Sequence, residues 1–213
     1  MSATPPASPP APALPGGFVL AAFTLPRARV HRIYWKAKDP LVQAVCGGNR
    51  YDCPPTVPKA HQFGVLYLGY DVETCWMETV VRDAIVRPAG TPLRIQNTRM
   101  TDRWACEVQV AGTLTLANFA DESLLDLGES ASNILGNSYL RTSTWSQLLH
   151  AHTNPAVDGI HYRSRFKSGE FCIALFDRGI AKGNLTVTNA RAIDPATSAE
   201  IQSIMKRFNV VPY

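Results

Sequence analysis

Apolar and polar positions alternate over residues 29–35, a period of two that predicts a strand. Residues 63–69 form an almost unbroken apolar run ending in glycine, which predicts a short buried strand. The period then lengthens. Val72, Cys75, Trp76, Thr79 and Val80 recur at helical spacing, with Asp71 placed to cap and Pro88 to end the element, so a helix is expected from 71 to about 86. Residues 105–116 read as a hairpin turned near Ala111-Gly112. Helices are expected over 123–135 and 142–152. Two strands, 160–166 and 171–176, follow on either side of a Lys167-Ser168-Gly169 turn. An edge strand at 185–193 and a helix at 195–208, with proline in its first turn, complete the pattern. Strands interrupted by helices of unequal length, without an internal repeat, indicate an α+β (mixed α/β) fold.

Composition limits what this pattern serves. At 213 residues and 46% hydrophobic the chain buries one core of good size, which favours one domain. Residues 1–17 are mostly Pro and Ala without apolar periodicity and are expected to form a disordered or polyproline-like arm, leaving 18–213 as the single folded domain. The net charge of +4 is scattered singly; it suits an anionic small molecule or an acidic partner and is too diffuse to argue by itself for nucleic acid. Five cysteines match no zinc or redox spacing and are expected as reduced thiols of a cytoplasmic protein. No signal peptide and no membrane-spanning run is read.

Three polar residues interrupt this pattern. Arg32 shares a strand face with Val30 and Tyr34, where a guanidinium needs an anion, a carboxylate partner or a wet edge. Glu78 falls beside the apolar stripe of its helix, at the rim of a pocket or in an ordinary pair with Arg82 four residues on. Ser164 lies on the face of Ile160, Tyr162 and Phe166, so its hydroxyl either bonds to backbone or orients a ligand or carboxylate. Nothing near it resembles a nucleophile elbow. Gly47-Gly48-Asn49-Arg50-Tyr51-Asp52 combines a tight turn with a guanidinium suited to phosphate, but lacks the rest of a dinucleotide fingerprint. His150 and His152 are explained by a helix C-terminus, and no metal site is expected.

Read in order, six strings resemble the RES domain, the toxin half of many bacterial toxin–antitoxin pairs. They are His31-Arg32-Ile33-Tyr34, Asn49-Arg50-Tyr51-Asp52, the run from Phe63 to Gly69, Glu78-Thr79-Val80-Val81-Arg82, the run from Gly159 to Arg165, and Ala174-Leu175-Phe176-Asp177-Arg178. The resemblance implies an ADP-ribosyltransferase-like core of strands flanked by helices. It also implies an enzyme that degrades NAD by hydrolysis or phosphorolysis, with NAD as substrate and no cofactor. Glu78, Arg32 and Ser164 would be catalytic; Arg50, Tyr51 and Tyr67 would bind substrate. An antitoxin or immunity protein is the expected partner, and homo-oligomerisation stays open. Two other readings stand beside it: a protein ADP-ribosyltransferase, and a non-catalytic nucleotide-binding module. The three prolines between Cys53 and His61 and the proline-rich arm depart from the family pattern.

Overall fold

The structure, a computed structural model, describes residues 21–46, 48–82, 88–120, 122–136, 138–152 and 156–213. The expected arm therefore lies outside the described residues, as do Gly47 and the far end of the helix expected to reach 86. Strands β1 (Ala22–Leu25), β2 (Ala28–Trp35) and β3 (Val65–Gly69) lead into helix α1 (Val72–Trp76). Then come β4 (Leu93–Ile95), α2 (Thr98–Thr101), β5 (Arg103–Val110) and β6 (Leu114–Phe119). Helices α3 (Ser123–Asp126), α4 (Ala131–Leu135) and α5 (Leu140–Ala151) follow. The chain ends through β7 (Gly159–Arg163), β8 (Phe171–Phe176), α6 (Asp177–Gly183), β9 (Leu185–Ala192), α7 (Ala199–Arg207) and β10 (Val210–Pro212).

Eight strands form one sheet in the order β1-β6-β7-β8-β3-β2-β5-β9, and β10 pairs with β4 in a small second sheet. Within the large sheet only β6 and β7 run parallel. Segment 105–116 is two strands but not the expected hairpin. β5 pairs with β2 and β9, and β6 pairs with β1 and β7. The link from Val110 to Leu114 spans at most about 14 Å, yet four strands separate β5 from β6 in the sheet. The sheet must curl until its halves face each other. Between them lies a buried cluster that includes Val30, Leu66, Leu68, Val108, Leu114, Leu116, Ile173 and Leu175. The link itself is pinned to the end of α6: the N–H groups of Ala111 and Gly112 both donate to the Gly183 carbonyl at 3.0 Å. A Cβ at Gly112 would stand 2.4 Å from the Lys182 carbonyl oxygen.

Helices cover the outside of this sheet, so the α+β class holds. Asp71 caps α1, accepting from the Thr74 amide at 2.6 Å and the Thr74 hydroxyl at 3.0 Å. Burial alone would raise its carboxyl, but the Thr74 bonds and Lys167 at 3.0 Å hold it below the usual carboxylate range. Residues 123–135 divide into α3 and α4 because Gly128, at φ +65, turns the chain between them. The buried Glu129 carboxylate ties that turn to α5, accepting from Arg141 Nε at 2.5 Å and Trp145 Nε1 at 2.7 Å. α7 begins at Ala199 and not at Pro195, because the Ser198 hydroxyl caps it by accepting from the Ile201 amide. The strand expected over 160–166 stops at Arg163, because Ser164 donates its amide to the Glu170 carbonyl at the start of a turn. α6 has no sequence forecast; it is seven residues long with two glycines, too short for an apolar period to register.

Arg178, on α6, closes α5. Its guanidinium donates to the carbonyls of Val157 (2.6 Å), His150 (2.6 Å) and Leu149 (2.9 Å). A fork that satisfies the last carbonyls of a helix also complements its dipole. Arg178→Ala is expected to lower stability by about 2 kcal/mol, read as a reduced midpoint in chemical denaturation with an unchanged slope. His150 is held nearby by stacking on Phe63 (centroids 4.0 Å apart) and by Asp177 Oδ1 at 3.0 Å. No helix among the described residues is long and apolar enough to cross a membrane.

Candidate active site

A cleft of about 700 Å³ opens where the sheet is weakest. β2 and β3 share one register pair, His31 with Gly69, whereas β2 and β5 pair along the whole of β2. α1 packs over this seam. The Cys75 thiol donates to the His31 carbonyl at 3.2 Å, and only glycine fits at 69, since a Cβ there would lie 2.7 Å from Cys75 Sγ. Arg32 and Tyr34 of β2, Tyr67 of β3, Glu78, Arg50 and Tyr162 of β7 all line the cleft.

Glu78 stands in a π-helical turn, Met77–Val81, that continues α1. Such turns carry an extra residue and re-aim side chains, often at functional sites. Here the turn directs Glu78 to Ser164, 86 residues away in sequence. Ser164 Oγ donates to Glu78 Oε1 at 2.7 Å, and the Arg165 amide donates to the same oxygen at 2.8 Å. Ser164 Oγ in turn accepts from the amides of Phe166 (3.3 Å) and Lys167 (3.2 Å). A hydroxyl is needed in this place because it must accept and donate together. Among the described residues nothing donates to Glu78 Oε2. Arg82, four residues on, donates to Asn49 Oδ1 and, at 3.2 Å, to the Gly48 carbonyl. That ties the helix of Glu78 to the turn that carries Arg50.

The two arginines differ. Arg32 donates from Nη1 to the Pro40 carbonyl at 2.5 Å and from Nη2 to the Val42 carbonyl at 2.6 Å. It brackets the loop that walls the cleft. Burial pushes its guanidinium down to about 10, still protonated at neutral pH. Arg50 is 6% exposed, and its Nη1 is buried with no hydrogen-bond partner. The guanidinium lies 6.0 Å from the centre of the Tyr162 ring, a contact that offsets little of its desolvation.

The two tyrosines differ as well. The Tyr67 hydroxyl donates to Asp52 Oδ1 at 2.8 Å and accepts from the Tyr51 amide at 3.0 Å, so only its ring is left for the cleft. Burial first, and Asp52 next, keep this phenol well above its usual range. Asp52 Oδ2 also accepts from the Gly48 amide (3.2 Å) and the Asn49 amide (2.9 Å), which fixes the Arg50 turn. Tyr51 stands in the core and not in the cleft wall: it is fully buried, 4.7 Å from Tyr162 and 6.1 Å from Phe119 by ring centroids. Its backbone is pinned on both sides, by Tyr67 and by Ser146 Oγ at 2.6 Å, and this turns the ring inward. Tyr162 takes the position at the cleft that Tyr51 was expected to hold. Its only sequence signal was its place on the same strand face as Ser164.

The family model described as the RES domain matches residues 24–194. Among solved structures, a chain of the M. tuberculosis MbcT–MbcA toxin–antitoxin complex superposes with a TM-score of 0.61 and 17% identity. The match covers 83% of this chain and 90% of that one, and at this identity it speaks for the fold alone. Curated proteins contain no significant match. The family match spans β2, the Arg50 turn, the helix of Glu78 and the turn of Ser164, so this chain belongs to the RES domain family.

Proposed function

We propose that this protein is a toxin of a toxin–antitoxin pair that destroys NAD by cleaving the bond between nicotinamide and ribose. The observation that carries the reading is the Glu78 carboxylate, fixed through Oε1 by Ser164 and the Arg165 amide in the lining of a cleft that also holds Arg50, whose Nη1 has no hydrogen-bond partner. Breaking a glycosidic bond to a good leaving group spreads positive charge over the ribose ring. A carboxylate held beside the ring or its 2′-hydroxyl stabilises that state more than the ground state. The logic is that of glycosidases with one carboxylate, since nicotinamide departs as a neutral molecule. The C–N electron pair leaves with nicotinamide, and water or phosphate supplies the new bond to the anomeric carbon.

In this reading Arg50 holds the pyrophosphate, Arg32 shapes the loop over it, and the Tyr67 ring packs against the nicotinamide half. NAD is substrate, and no cofactor is called for. Family membership and the toxin–antitoxin context of the solved neighbour support a partner that covers the cleft. Purified protein is expected to release nicotinamide from NAD, followed by chromatography with and without inorganic phosphate. ADP-ribose as co-product would name water as acceptor, and its 1″-phosphate would name phosphate. Absence of nicotinamide in both arms would overturn the proposal.

A further inference from the structure

The Arg50 turn begins and ends at a cysteine. Cys46 and Cys53 pair backbone to backbone as an isolated parallel bridge. The Cys53 thiol itself donates to the Pro54 carbonyl at 3.7 Å. Their environments are opposite: Cys46 is exposed, and Cys53 is fully buried in the cluster that contains Tyr51. Cys75, Cys106 and Cys172 are all buried. A bridge pair brings its Cα atoms to about 5 Å, inside the range a disulfide spans without moving the backbone.

We propose that Cys46 and Cys53 form a reversible disulfide that clasps the Arg50 turn, with Cys46 as the attacking thiol and Cys53 as the resolving one. Exposure makes Cys46 the point of entry, and the backbone bridge makes Cys53 the neighbour placed to finish the reaction. The oxidant is a low-molecular-weight disulfide. The Cys46 thiolate attacks one of its sulfurs, forming a mixed disulfide and expelling one thiolate. Cys53 attacks Cys46 Sγ and expels the second thiolate, which takes up the Cys53 proton as it leaves. Two protein thiols are oxidised and one small disulfide is reduced to two thiols. The clasp closes on a turn already set by Asp52 and Arg82, so it should fix Arg50 where it stands. In a reducing compartment a disulfide of this kind is a redox-responsive bond, not a permanent staple. The inference is independent of the reaction proposed above.

The test is incubation of the full chain with oxidised glutathione, followed by thiol counting and peptide mass mapping. Loss of two of the five thiols, a peptide joining Cys46 to Cys53, and a Tm higher by roughly 5 °C that dithiothreitol reverses are expected. Cys46→Ser should abolish the joined peptide. Cys53→Ser should trap glutathione on Cys46. Glutathione held stably on Cys46 of the unaltered chain, a bond between any other pair, or five persistent thiols would each overturn the proposal. Because Cys46 is exposed, its serine variant tests the idea even if Cys53→Ser does not fold.

Discussion

Glu78→Gln is expected to fold like the unaltered protein and to lose about 10²-fold or more in the rate of nicotinamide release. The amide oxygen of glutamine can occupy the place of Oε1 and accept from Ser164 Oγ and the Arg165 amide as the carboxylate does. The π-helical turn and the turn at Ser164 therefore keep their link, and thermal stability should hardly change. What disappears is the negative charge facing the cleft. In the proposed reaction that charge matters most when the ribose carries positive charge, so the loss belongs in kcat and little of it in KM. Steady-state kinetics beside a melting curve would show this. Full activity in a well-folded variant would falsify the role given to Glu78. A large rise in KM with kcat intact would instead make it a binding residue.

Parts of this site were legible in the sequence because they broke a pattern. Arg32 in an apolar strand and Ser164 on an apolar face are conspicuous, since each needs a partner that the local sequence does not offer. Glu78 was marked less clearly, by its place beside the stripe. That it meets Ser164 at 2.7 Å could not be read, because a π-helical turn has no period of its own to detect. Tyr51 shows the opposite difficulty. It follows Arg50 in a turn, where neither a period of two nor one of 3.6 says which way a side chain points; long-range bonds from Tyr67 and Ser146 decide it. The strands at 105–116 were visible but their partners were not. Alternation reports that a strand has two faces, while pairing depends on strands far away in sequence. A short link with a glycine reads as a hairpin until Gly183 is known to receive its amides.

Replacing Arg50 should separate binding from stability more sharply than any other change in the cleft. A buried guanidinium with an unpartnered Nη1 is a cost to the folded protein, which a bound pyrophosphate would offset in the proposed reaction. Arg50→Met keeps much of the stem that packs at the cleft and removes the charge. The apparent KM for NAD is expected to rise on the order of 10²-fold, the usual consequence of deleting one member of a desolvated charge pair. Tm should stay level or increase, because the variant no longer desolvates a cation. Arg32→Met should behave differently. Its Nη1 and Nη2 hold the Pro40 and Val42 carbonyls, so the loop loosens and stability falls together with affinity. Melting curves and KM measured on both variants decide the assignment. If Arg50→Met leaves KM unchanged, the pyrophosphate is held elsewhere. If it lowers Tm while Arg32→Met does not, the two arginines have exchanged the parts assigned to them.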